Sequence, residues 1–281
     1  MTSIDATLPA GPAPAARPEP GAIAPRPAGF LNDVSAIAGR ALRGIPRDLE
    51  SVIPSVFIPL FFFVVNVGAL QNITESQAPP GFDFKAFQLP IAVIFGITGV
   101  SRAPTLVTDI QDGYFDRLLL TPVRRLAILL GLMVADLALA CALTLPVIGV
   151  GLALGVRFDS GPLGILAFIA ILALWGLAFT GFPYAIALKT GNPAAVNTSF
   201  LLFFPFAFLT SAFVPRDEMT GWLDVIAGWN PVTYLLEGLR SLVMEGWQWA
   251  DLGRAVAAVA VVAALSMSLC FAALRGRVRR S

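Results

Sequence analysis

The sequence predicts an all-α membrane protein with six transmembrane helices. Of its 281 residues, 57% are hydrophobic and only 13% are charged, whereas about a quarter of a soluble domain is charged. The apolar residues are also gathered into blocks that carry almost no charge. Each block has the roughly 20 residues needed to cross the hydrocarbon core at about 1.5 Å per residue. The predicted spans are 51–74, 86–108, the stretch between Arg125 and Arg157, 160–188, 190–215 and 255–274.

Two segments of different character precede the first span. Residues 1–29 hold seven prolines and few large apolar side chains, a composition that predicts a disordered cytoplasmic tail. In residues 30–49, apolar positions recur every three or four residues with Asp33, Arg40 and Arg43 between them. This pattern predicts an amphipathic helix in the membrane interface, although an ordinary surface helix shows the same spacing. The predicted organisation is a tail at 1–29, an interfacial helix at 30–49, a six-helix domain at 50–275 and a basic cytoplasmic tail at 276–281.

The segment before the last span, 216–250, combines charged side chains with four tryptophans. Its charge-free run, 225–236, is too short to cross a bilayer. We therefore predict short re-entrant helices on the outer side, interrupted at Asn230-Pro231, with the aromatic rings at headgroup depth.

The basic residues are distributed unequally between the two sides of the membrane. Those predicted on the first side are Arg17, Arg26, Arg40, Arg43, Arg47, Arg102, Arg117, Arg124, Arg125, Lys189, Arg275, Arg277, Arg279 and Arg280. Those predicted on the other side are Lys85, Arg157, Arg216, Arg240 and Arg254. Cytoplasmic loops carry the excess of Lys and Arg, so we expect a multi-pass protein of the cytoplasmic membrane with both termini in the cytoplasm.

Several kinds of chemistry have no support in the sequence. There is no histidine, and neither lysine follows a glycine-rich phosphate-binding motif, so we predict no ATPase site, no bound cofactor and no metal site in this chain. Cys141 and Cys270 lie in apolar blocks and are expected to pack as small hydrophobes. The net charge of +1 gives no reason to expect nucleic acid as a partner.

Two motifs carry a family resemblance. The loop 109–122 reads DIQDGYFDRLLLTP and resembles the cytoplasmic loop of type-2 ABC exporter permeases, with an acid, a glycine, an Asp-Arg-apolar run and a proline. The segment 210–240, with TSAFVP followed by NPVTY, resembles the outer segment before the last helix of the same family. The daunorubicin-resistance permease group is the most similar, and the resemblance covers about 30–275.

The resemblance implies the permease subunit of an ATP-driven exporter. Its substrate would be drug-like, amphiphilic or lipid-linked and would move outward across the cytoplasmic membrane, with a polysaccharide or lipid-linked glycan as the alternative. Expected partners are a second permease copy, membrane lipid and a separate ABC ATP-binding subunit that uses ATP and Mg. A channel, a scaffold and an intramembrane enzyme remain weaker alternatives. The expected ATPase-coupling residues are Asp109, Asp112, Gly113, Asp116, Arg117 and Pro122.

Three further features are candidates for a transport path or gate. Asp136 lies about ten residues into the third span, where a carboxylate must face protein or water; it either contacts the substrate or makes a structural hydrogen bond. Glu237 and Arg240 are three residues apart and are expected to face each other on a helix. Together with Asn230 and Pro231 they form the predicted outer gate segment.

Overall fold

The computed structural model describes residues 29–45, 49–121 and 123–278, and its regular elements there are all helical. The prediction of an all-α protein is confirmed. Most of the predicted tails, namely 1–28 and 279–281, lies outside the described residues. The helices are α1 Phe30–Gly44, α2 Leu49–Gln77, α3 Phe84–Thr98, α4 Ala103–Gln111, α5 Tyr114–Leu119, α6 Arg125–Ala153, α7 Gly161–Thr190, α8 Pro193–Thr198, α9 Phe200–Phe208, α10 Trp222–Trp229, α11 Pro231–Met244 and α12 Trp249–Val278, with a short 3₁₀ helix at Arg216–Glu218.

Five helical stretches are long and apolar enough to cross a membrane. They are Val52–Gln77, Phe84–Gln111, Leu126–Ala153, Gly161–Thr190 and Trp249–Arg277. They correspond to the first four and the last of the six predicted spans, and they identify a multi-pass membrane protein.

The second span is broken, where the sequence had suggested a continuous helix. Helix α3 ends at Thr98 and α4 begins at Ala103. The break is stable because the amide N–H groups that it frees find other acceptors. Ser101 Oγ accepts the N–H of Ala103 at 3.1 Å, and a carboxylate oxygen of Asp136 accepts the N–H of Arg102 at 2.7 Å.

The predicted fifth span, 190–215, consists of two short helices and a non-helical end. The helical part, Pro193–Phe208, is about 24 Å long at 1.5 Å per residue, less than the roughly 30 Å of a hydrocarbon core. The segment nevertheless runs the length of the bundle. Val196 packs with residues of α4, and Ala212 packs with residues of α3 at the other end.

The two ends of the bundle differ in composition. At one end, Ala41 of α1 and Leu274 of α12 share a hydrophobic cluster with α4, Phe115 of α5 and the last turns of α7; we call this the α1 end. At the other end, α10 and α11 lie beside the start of α3, since Arg240 donates a hydrogen bond to Phe87 O; we call this the α11 end. The N-terminal helix and the last turns of α12 thus lie at the same end, as six crossings require.

Small residues allow the long helices to approach closely. A Cβ atom added at Gly181 of α7 would lie 2.7 Å from Ser266 of α12. Ser266 Oγ in turn donates to Ala178 O. Similarly, a Cβ at Gly238 of α11 would lie 2.6 Å from Ala255 of α12. Such small-residue seams are typical of helix packing in lipid.

Candidate functional site

At the α1 end, α4 and α5 form a bent surface that we call the elbow (residues 109–119). Asp109, near the end of α4, accepts two hydrogen bonds from Arg40 of α1, from Nη2 at 2.6 Å and from Nη1 at 3.3 Å. The Arg40 guanidinium also lies 4.7 Å from the centre of the Tyr114 ring. The bidentate pair with Asp109 links α1 to α4 in a defined orientation. The contact with the Tyr114 ring links α1 to α5. The hydrogen bond with Asp109 raises the pKa of Arg40 above its ordinary value.

The bend of the elbow depends on Gly113. Its φ of 67° lies in the left-handed region, which favours glycine. Arg117 closes the turn, with Nε donating to Gly113 O at 3.3 Å and Nη2 donating to Asp112 O at 3.2 Å. Asp112 and Arg117 are both exposed. The Asp116 side chain and Pro122 lie outside what the structure describes.

The elbow also contacts the ends of α7 and α12. Phe115 is buried, and Arg277 of α12 lies 6.0 Å from the centre of its ring. Gln111 Nε2 donates to Gly191 O at 3.0 Å, just after α7. The sequence analysis singled out none of these contacts, because each joins residues far apart in the chain. Together they make α1, the elbow and the ends of α7 and α12 one connected surface.

Asp136 is a buried junction between three helices. Its side chain lies in α6 and is 3% exposed. Oδ1 accepts the N–H of Arg102 at 2.7 Å, where α4 begins, and Oδ2 accepts the hydroxyl proton of Tyr184 of α7 at 2.7 Å. Both carboxylate oxygens therefore have partners within the protein, which supports the structural alternative. Tyr184 was not identified from the sequence, since nothing in a span distinguishes it from an interfacial tyrosine.

The expected pairing of Glu237 with Arg240 is wrong. Glu237 accepts instead from Arg216 Nη1 at 3.4 Å. Arg240 turns inward and donates to three backbone carbonyls, Phe87 O at 3.1 Å, Ser211 O at 2.6 Å and Ala212 O at 3.0 Å. The physical reason is that the carbonyls of Ser211 and Ala212 lie outside any regular helix, and a guanidinium has five donors in a fixed plane that can reach them and Phe87 O together.

Asn230 makes hydrogen bonds both to α11 and to the end of α9, close to the carbonyls that Arg240 contacts. Its Oδ1 accepts the N–H of Val232 at 3.0 Å and so caps α11, with Pro231 at the first helical position, as is common. Its Nδ2 donates to Phe206 O at 2.6 Å and to Leu209 O at 2.7 Å. The predicted interruption at Asn230-Pro231 is confirmed, and Asn230 and Arg240 together anchor the end of α9 to α11.

A cavity of about 440 Å³ lies between α2, α3 and the α8–α9 segment. Its wall includes the rings Phe62, Phe95, Phe200, Phe204, Phe208 and Phe213. At its α1 end it reaches the break of the second span, at Gly99 and Ser101. Among the described residues, the lining contains no charged side chain, and Asp136 is not part of it. The sequence analysis did not predict this cavity, because it depends on the packing of two helices that are distant in the chain.

The bundle of long apolar helices defines the class of the protein, a multi-pass membrane protein. Comparison with known families gives the particular group: residues 32–244 match the ABC-2 type transporter family, and the chain belongs to that family. It is 27% identical over 238 residues to the daunorubicin resistance ABC transporter permease protein DrrB1 of Streptomyces coeruleorubidus, covering 82% of this chain and 81% of the relative.

Other relatives are similar over comparable lengths. The probable doxorubicin resistance ABC transporter permease protein DrrC of Mycobacterium tuberculosis is 27% identical over 77% of this chain and 79% of its own length. A transport permease, ycf38, of Cyanophora paradoxa is 23% identical over 76% and 74%. The resemblance that the two sequence motifs suggested is therefore confirmed, and the chain is a transmembrane component of an ABC transporter.

Proposed function

We propose that this chain is the permease subunit of an ATP-driven exporter that moves a drug-like, amphiphilic or lipid-linked substrate outward. Membership of the ABC-2 type transporter family carries the proposal, and the drug-resistance names of the relatives support the substrate class. The described residues of the cavity wall are largely aromatic or apolar and carry no charge, a surface better suited to an amphiphile than to a hydroxyl-rich glycan.

The α1 end is proposed to face the cytoplasm and to receive the ATP-binding subunit, which supplies ATP and Mg. Basic side chains cluster at this end, and cytoplasmic surfaces carry such an excess. They are Arg40, Arg43, Arg117, Arg124, Lys189, Arg275 and Arg277. The exposed Asp112 and Arg117 of the elbow offer an acceptor and a donor to a partner surface. The apolar face of α2, including Phe57 and Phe61, is exposed and is available to lipid or to the second copy of a homodimer.

A displacement of the elbow would be transmitted to other helices through the hydrogen bonds that join them. Arg40 and Asp109 tie the elbow to α1, and Asp136 ties the start of α4 to α6 and α7. An ATPase subunit that displaces α5 would therefore displace several helices together, and the chain itself needs no site for hydrolysis.

The test is co-purification with an ABC ATP-binding subunit encoded beside this gene. We expect the two to co-purify, and Asp112→Lys, Asp116→Lys and Arg117→Glu each to lower the recovered ATPase and export at least severalfold, while membrane insertion stays unchanged. Glu218→Lys, an exposed charge reversal at the α11 end, is the matched control and should leave both at the wild-type level. Full export by all three elbow variants would contradict the proposed docking surface.

A further inference from the structure

The cavity between α2, α3 and α9 has the dimensions and wall of a small-molecule site. Its volume of about 440 Å³ falls within the range of drug-sized pockets, roughly 300–1,000 Å³. Three of its rings form one cluster, with the Phe95 and Phe208 centroids 5.8 Å apart and the Phe204 and Phe208 centroids 5.1 Å apart. Rings spaced in this way offer faces and edges against which another flat ring can stack.

One polar side chain in this wall differs from its neighbours. Gln88 of α3 lines the cavity, is 2% exposed, and its Nε2 has no hydrogen-bond partner among the described residues. Thr98, another buried polar residue of the wall, donates to Ile94 O and accepts from Trp175 Nε1. Burying an amide without a partner is unfavourable, so the Gln88 amide requires an acceptor that the described residues do not provide.

We propose that this cavity binds a neutral, largely aromatic molecule with an oxygen atom that accepts a hydrogen bond from Gln88. The rings of the wall pack against the aromatic body of the ligand. An ionic group is disfavoured because none of the described residues that line the cavity is charged and an unpaired charge is costly to bury. This identifies the substrate class of the proposed exporter; only the transport of the bound molecule depends on the proposed function, whereas its binding does not.

The test uses benzophenone, a neutral diaryl ketone that attaches covalently to nearby C–H bonds under ultraviolet light. The purified permease in lipid nanodiscs is labelled below saturation, without ATP or an ATPase subunit, and the labelled residues are mapped by mass spectrometry. In the wild type we expect labelling of residues that line the cavity on α2, α3 and α9. Gln88→Leu should lower this labelling about fivefold, the effect of losing one hydrogen bond, without lowering the thermal stability.

Two matched comparisons separate the cavity from the general lipid-facing surface. Phe204 lines the cavity, whereas Phe206 on the same helix has a similar exposure but does not. Phe204→Ala should therefore reduce labelling, and Phe206→Ala should not.

Anthraquinone and anthracene share one ring skeleton and differ in the two carbonyl oxygens. Anthraquinone should compete better in the wild type, and its advantage should disappear in Gln88→Leu.

Equal labelling in the wild type, Gln88→Leu and Phe204→Ala would overturn the proposal, as would labelling confined to lipid-facing residues such as Phe57. Anthracene competing as well as anthraquinone in the wild type would remove the role of Gln88. None of these results bears on ATPase docking. Conversely, failure of the ATPase subunit to co-purify would reject the proposed exporter and leave the binding result standing.

Discussion

At the scale of single residues, buried polar groups in this bundle satisfy backbone atoms at helix interruptions. Asp136 accepts the N–H that the break before α4 leaves free, and Arg240 and Asn230 donate to carbonyls at and beyond the end of α9. In a membrane an unsatisfied backbone group costs several kcal/mol. The break before α4 and the end of α9 are therefore each accompanied by a polar side chain from another segment.

The Asp136 junction gives the first prediction. Asp136→Asn leaves one carbonyl oxygen for two donors, Arg102 N–H and Tyr184 O–H, so one donor loses its acceptor. Because a hydrogen bond to a charged group contributes about 1.5–3 kcal/mol, we expect the variant to lower the yield of folded permease and its melting temperature in detergent. Tyr184→Phe should have a smaller effect in the same direction. Loss of transport at a normal yield and melting temperature would instead indicate that Asp136 contacts substrate.

The sequence identifies Asp136, Glu237 and Arg240 as candidate residues but does not predict their hydrogen-bond partners. Asp136 stands out because it is the only acid within its span, yet its role depends on a break in the second span that hydropathy does not register. Glu237 and Arg240 have the spacing of a helical ion pair. The three carbonyls that recruit Arg240 come from Phe87, Ser211 and Ala212, more than 25 residues away, and no local pattern encodes them.

At the scale of elements, α1 packs directly on a transmembrane helix. A Cβ atom at Gly131 of α6 would lie 2.7 Å from Ile37 and 3.0 Å from Val34 O of α1. The amphipathic pattern predicted this helix, and the structure adds that its inner face, with Ala38 and Ala41, is buried against protein. The position of α1 therefore depends on a glycine in another helix.

Gly131→Ala should displace α1, since a backbone oxygen cannot move aside as a flexible side chain can. We expect faster proteolysis near the start of the chain and weaker coupling to the ATPase subunit, with loss of about 1–3 kcal/mol from overpacking. Gly149→Ala is the control, because nothing lies within 4 Å of a Cβ at that position of the same helix. Equal behaviour of the two variants would show that α1 does not depend on this close approach.

The contact between Arg40 and Asp109 gives a prediction for α1 and α4 as a pair. Arg40→Asp or Asp109→Arg alone should loosen the elbow, and the double exchange should restore it in part. An ion pair with this exposure contributes at most about 1 kcal/mol, so chymotrypsin cleavage beside Tyr114 should rise about fivefold in each single variant. Arg43 is an exposed arginine that, among the described residues, donates to the carbonyl of Gly39 in its own helix, and Arg43→Asp should leave cleavage unchanged. Additive effects in the double variant would exclude a direct interaction.

At the scale of the whole molecule, composition determined the class and charge determined the proposed orientation. Long apolar blocks are visible in sequence because each residue contributes independently to hydropathy. The sequence does not predict the helix interruptions at 99–102 and at Ser199. It does not predict the cavity either, because all these features depend on which helices become neighbours.

The orientation leads to a test of accessibility. In a variant with Cys141→Ala and Cys270→Ala, Thr121→Cys at the α1 end and Thr220→Cys at the α11 end introduce single thiols at exposed positions. A membrane-impermeant maleimide added to intact cells should label only the cysteine at 220, and the cysteine at 121 only after permeabilisation, because the basic end stays in the cytoplasm. The reverse pattern would invert the proposed direction of transport.

The break in the second span has a mechanical consequence. A continuous helix from Phe84 to Gln111 would act as a stiff rod and would transmit a tilt of α4 directly to the cavity wall on α3. Because the helix is interrupted at 99–102, α4 can tilt about its contact with the Asp136 carboxylate while α3 keeps its position. Since the cavity reaches Gly99 and Ser101, we expect a tilt of α4 to change the width of the cavity at its α1 end.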